Sequence, residues 1–125
     1  MSWIRDDQAF FAAGACHVLA WTCHETYAKQ DLRIVGLKFA GQSIAFHVIA
    51  TWRDWAFDHC GWNLKGALIL ANEQFESRAI ESFAITSNLV GYCQEHRSRL
   101  PGQYHADPRP RALSYVRSFD APWIV

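Results

Sequence analysis

Residues 33–61 read RIVGLKF AGQS IAFHVIAT WRD WAFD HCG, and this stretch decides the fold. Arg33–Phe39 and Ile44–Thr51 are strand-like apolar runs, and Ala40-Gly41-Gln42-Ser43 between them has the composition of a turn. A tight Trp52-Arg53-Asp54 connection leads into a third, short strand, Trp55–Asp58, and Gly61 closes the block. Strands joined by connections this short pair antiparallel.

Helical patterns flank the strands. Residues 3–13 suit a short helix with Trp3, Phe10 and Phe11 as its apolar face. Gly14 breaks the pattern, and a second helix runs from near Ala15 to about Ala28. Cys16, Leu19, Ala20, Cys23 and Tyr27 line its buried face at three- and four-residue spacing. Leu64–Glu73 is helix-like despite Gly66, and Glu76–Phe83 suits strand or helix equally. A further helix starts around Thr86 or Ser87 and ends near Arg99, and a last one starts at Asp107 as cap with Pro108 as first helical residue. Ala112, Tyr115, Val116 and Phe119 share one face of that last helix. The expected class is α+β, with helices packed on a small antiparallel sheet.

Composition sets outer bounds. A chain of 125 residues, half of them hydrophobic, suits one domain spanning 1–125. Lys+Arg and Asp+Glu both number 12, so no global charge draws the chain to nucleic acid or an anionic membrane surface. The start, MSWIRDDQAFF, places acids where a secretion signal needs an apolar run, and no stretch approaches the roughly 18 apolar residues of a spanning helix. Cys16, Cys23, Cys60 and Cys93 then read as free thiols in the reducing cytoplasm.

Chemistry concentrates in the first half. Cys16 sits at a helix start, where unpaired N–H groups and the dipole favour thiolate, and Gly14 leaves room beside the sulfur. His47 is the one ionisable side chain in the run Ile44–Thr51, on the face of Ala45, Ile49 and Thr51. Its relation to Asp58 depends on the connection. A two-residue loop at Arg53-Asp54 pairs Trp52 with Trp55 and makes His47 and Asp58 diagonal neighbours; a four-residue loop sets them opposite. A three-residue loop puts Asp58 on the other face. Thiol nucleophile, imidazole base and orienting carboxylate are the parts of acyl-transfer chemistry. Each residue also has a plain structural role: Cys16 as a buried core thiol, His47 as a core imidazole bonded to a carbonyl, and Asp58 as a turn former.

Gly14-Ala15-Cys16-His17-Val18-Leu19-Ala20 resembles the Gly-x-Cys-x-x-x-Ala helix start of transglutaminase-like cysteine enzymes. His47-Val48-Ile49-Ala50-Thr51 and Trp55-Ala56-Phe57-Asp58 are similar to their His and Asp strands. Arylamine N-acetyltransferases and the wider papain-like group share the order Cys, His, Asp. The resemblance covers about residues 10–62 and departs after Asp58, where His59-Cys60-Gly61 replaces the usual Pro or small residue. It implies a papain-like or transglutaminase-like core with Cys16 as nucleophile, His47 as base and Asp58 as orienting carboxylate. It also implies a thioester acyl-enzyme, formed on a peptide, protein or small amide or thioester substrate and passed to water or an amine. Peptidase, amidase and deamidase chemistry all fit, with neither metal nor organic cofactor required.

Other readings carry less. His17 and His24, like Cys16 and Cys23, are seven residues apart on a helix, about 10.5 Å, too far to share an ion. A metal set of Cys16, His47, His59 and Cys60 has no supporting spacing. Gln8 is a weak candidate oxyanion donor, His105 a second-choice base, and Trp52, Trp55 and Trp62 candidate cleft walls. The alternative to an enzyme is a non-catalytic interaction module. It would bind an acidic partner or nucleic acid through Arg97, Arg99, Arg109 and Arg111, but the neutral chain lacks a nucleic-acid binder's footprint.

Overall fold

The computed structural model describes residue 3 and residues 5–124; Met1, Ser2 and Ile4, read above in the N-terminal segment, lie outside the described residues. The class is α+β. Among the described residues five α-helices accompany one antiparallel sheet: α1 Asp7–Ala12, α2 Cys16–Thr26, β1 Arg33–Phe39, β2 His47–Trp52, β3 Trp55–Asp58, β4 Gly61–Leu64, α3 Lys65–Glu76, β5 Ile80–Ala84, α4 Leu89–His96 and α5 Arg109–Arg117. The sheet order is β4-β3-β2-β1-β5, so the stretch that decides the fold supplies the three central strands.

The register answers the question of loop length. Trp52 pairs with Trp55, Thr51 with Ala56 and Ala50 with Phe57, which is the two-residue connection. Arg53 takes the left-handed backbone that such a turn demands, at φ 52°.

Side chains alternate across the sheet. Ile34, Val48, Ala50 and Phe57 join a core beneath α2, which also takes in Phe10, Phe11, Tyr92, Ala112 and Val116. Val35, Leu37, Ile49 and Ala56 face the other way, against Leu68 of α3. The helix α2 is buried on more than one face. Every residue from Cys16 to Cys23 is buried, because the sheet lies on one side and helices from the rest of the chain close over the other. The expected single apolar stripe understated this.

Several expected boundaries shift for local reasons. Gly61 (φ 82°) does not close the block but opens β4, which adds an edge strand. The ambiguous segment contributes β5, paired along β1 from Val35↔Ala84 to Phe39↔Ile80. The cap of α4 is Asn88, whose side chain accepts the Gly91 N–H at 2.8 Å, and left-handed Arg97 ends that helix before Arg99. The last helix begins at Arg109 with Pro108, not Asp107, at the cap position, and the Asp107 carboxylate accepts the Arg109 N–H at 3.0 Å from one residue further back. No helix among the described residues is long and apolar enough to cross a membrane.

Two turn glycines separate backbone strain from packing. Gly41 (φ 83°) faces open space, whereas a Cβ on Gly61 would lie 2.7 Å from the Phe119 ring. Gly41→Ala should cost only the left-handed strain, about 1–2 kcal/mol. Gly61→Ala should cost measurably more in urea unfolding; equal losses would mean that the ring yields freely.

Candidate active site

Cys16 is the first residue of α2 and His47 the first of β2, while Asp58 is the last of β3. By alternation His47 and Asp58 stand on the α3 face, and Cys16 heads the helix covering the opposite face. The three meet at the end of the sheet. His47 Nε2 donates to Asp58 Oδ2 at 3.1 Å with both groups buried. The other ring nitrogen, Nδ1, is not engaged by Asp58, and the His47 and His17 rings both lie near enough to Cys16 to favour its thiolate.

Asp58 is held on both oxygens. Its Oδ1 accepts the Cys60 N–H at 2.8 Å, and Oδ2 also faces His59 Nδ1 at 3.8 Å. That histidine nitrogen is buried without a hydrogen-bond partner among the described residues. Tyr115 donates to the His59 carbonyl and ties the turn to α5.

Electrostatics single out one thiol of four. Burial opposes a Cys16 thiolate, but hydrogen bonds and charge from His17 and His47 outweigh it and lower the thiol to about 5. Burial likewise opposes an imidazolium at His47, yet Asp58 and Cys16 raise it to about 10. Both shifts favour the thiolate–imidazolium form of the pair. Asp58 is lowered against its own burial, chiefly by the His47 hydrogen bond and charge. Cys23 meets no such partners, and burial pushes it up to about 12; Cys60 and Cys93 are raised too.

Hydrogen bonds from other parts of the chain position this end of the sheet. His17 Nε2 donates to the Arg99 carbonyl at 2.7 Å, which fixes its tautomer. Tyr104 donates to the Gly14 carbonyl at 2.7 Å and pins the glycine turn (φ 106°) before Cys16. His96 Nδ1 accepts the Ala45 N–H at 3.0 Å, securing the approach to His47. Only His17 carried a local signal, by adjacency to the thiol; the other links span 51 and 90 residues.

No side chain caps α2, and among the described residues no acceptor meets the N–H groups of Cys16, His17 and Val18. These donors are available to a developing oxyanion. On the α3 side a 710 Å³ groove opens onto His47, Asp58 and His59, walled by Phe46, Leu68, Ala71 and Phe75. Cys16 does not line it and keeps 9% of its surface exposed.

The remaining candidates are elsewhere. Gln8 and His105 are exposed, the latter beside the Trp3 ring. Trp52 and Trp62 pack against Trp123, so they are not groove walls, and neither is Trp55. Two of the four arginines are engaged internally. Arg109 pairs with Asp107 at 2.7 Å, and Arg111 with Asp7 at 2.6 Å while covering the Phe10 ring. Compared with protein-family models, curated proteins and solved structures, the chain matches none.

Proton linkage gives this site a signature. Between about pH 6.5 and 9 the folded pair holds one proton as imidazolium, and the unfolded pair holds one as thiol, so the pair adds no pH dependence. Below 6.5 the unfolded histidine takes up a second proton and stability falls as pH drops toward 5. Above 9 the unfolded thiol loses its proton while folded His47 keeps one, and stability falls as pH rises toward 10. Urea unfolding across pH should show this plateau, and Cys16→Ser should remove the plateau's acid shoulder between about 6.5 and 5. A wild-type profile identical to that of the serine variant would rule out the ion pair.

Proposed function

We propose that the chain is a thiol hydrolase or acyl transferase of the papain-like or transglutaminase-like kind. The observation that carries this reading is the depressed Cys16 thiol beside an imidazole whose far nitrogen is bonded to a buried carboxylate. The first-half order Cys16, His47, Asp58 supports the same reading, as does the nucleophile's place at a helix start. Four free thiols suit a reducing compartment such as the cytoplasm.

The steps follow from the groups. The Cys16 thiolate attacks an amide, peptide or thioester carbonyl, and the C–S bond forms as the carbonyl π pair moves onto oxygen. Backbone N–H groups at the start of α2 stabilise that oxyanion. His47 imidazolium gives its proton to the departing amine or thiol as the intermediate collapses to a thioester. Neutral His47 then takes a proton from water or an amine acceptor, which attacks the thioester and releases the thiolate. Asp58 keeps the ring oriented and favours its charged form throughout.

Iodoacetamide labelling with mass mapping tests the thiolate. At pH 6.5 Cys16 should alkylate ahead of Cys60, although Cys60 is the exposed thiol. His47→Ala should slow Cys16 labelling at that pH by about tenfold or more. Cys60 reacting first, with Cys16 rising only near pH 9, would defeat the proposal. On a panel of activated amides, peptides and thioesters, Asp58→Asn should lower kcat by about a hundredfold or more with little change in KM. Turnover that survives Cys16→Ala would place the chemistry elsewhere.

A further inference from the structure

The face of the sheet that α3 covers is left open at its far end. There a 720 Å³ concavity lies between the start of β1, the β2–β3 turn, the start of α3 and the end of β5. Lys29, Arg33, Arg53 and Lys65 line it with a single carboxylate, Asp31, and with Trp52. None of the four cations is paired with a carboxylate among the described residues. Four like charges around one hollow repel one another, and nothing in the fold requires them to converge there.

Two of the four occupy positions that folding alone disfavours. Arg53 holds a left-handed backbone at φ 52°, where Gly or Asn is the natural choice, and its guanidinium lies 4.5 Å from the centre of the Trp52 ring. Lys65 is the first residue of α3, whose positive dipole end repels an ammonium. Local rules broken twice around the same cavity mark a place selected for contact, not for stability.

We propose that this concavity is a binding site for a small oligophosphate. Its volume is that of a small-molecule pocket rather than of a groove for a polymer. The guanidinium forks of Arg33 and Arg53 suit paired phosphate oxygens, and Lys29 and Lys65 add point charges. A ligand with several negative charges is needed to balance the set; a monoanion leaves most of the repulsion in place. The site is independent of Cys16 chemistry, and Cys16→Ser leaves it intact.

Calorimetry with sodium tripolyphosphate and pyrophosphate at about 150 mM salt, where distant charges are screened beyond ~8 Å, tests the assignment. Saturable binding is expected, weakened about tenfold or more by Arg53→Asn and by Lys65→Gln, each removing a charge-assisted contact. Arg53→Asn should also leave the ligand-free Tm unchanged or higher, which separates lost binding from lost folding. Absence of saturation would overturn the proposal, and so would equal weakening by the control pair Arg97→Gln and Arg117→Gln. Tighter binding of a short RNA than of tripolyphosphate would overturn it as well.

Discussion

The site depends on keeping a charged pair in a buried place. Water would stabilise a thiolate and an imidazolium well, and the protein end of the sheet must replace that solvation with fixed partners. It does so in series. Asp58 receives a backbone N–H on one oxygen and the His47 ring on the other, and His47 in turn faces Cys16 together with His17. Removing His47 leaves two buried anions without their shared cation. A lone buried thiol such as Cys23 shows the other outcome: burial alone raises it, and it stays protonated.

Such an arrangement tolerates little movement, and the second half of the chain supplies the restraint. His96 accepts from the Ala45 N–H, Tyr104 donates to the Gly14 carbonyl, and the Arg99 carbonyl accepts from His17. Aromatic contacts back them, with Tyr92 stacked on His96 at 4.7 Å between ring centres and Phe10 against Tyr104. These elements bear no candidate reacting group. They fix the entrance to β2 and the turn before α2, the two places where a small backbone shift would part sulfur from imidazole.

The same sheet face carries two further openings on either side of α3: a largely apolar groove at the His47 end and a basic hollow at the Arg53 end. Their chemistry differs because the strands run through the sheet with apolar residues at its centre and charged residues at its margins. A helix of 12 residues covers the centre and leaves both ends uncovered.

By itself the sequence determined what short-range rules govern. It set the strand runs, the tight connection between Trp52 and Trp55 whose length the register then decided, the glycine break before Cys16, and the order of thiol, imidazole and carboxylate. Those features depend on backbone sterics and on alternation along a few residues. Boundaries set by capping were less legible, as at Asn88 and Arg97, where one side chain or one left-handed residue decides the end. Strand β5 was ambiguous because an exposed edge strand has little apolar pattern to reveal it. Only the tertiary structure decided that His17 joins the thiol, that His59 faces Asp58, that Trp62 packs against the core, and that four cations from separate elements share one hollow. The last two are meetings of residues far apart in the chain, and the first two depend on how distant segments hold neighbouring side chains. The free energy of such meetings lies in burial and long-range hydrogen bonds, which leave no local trace in the order of residues.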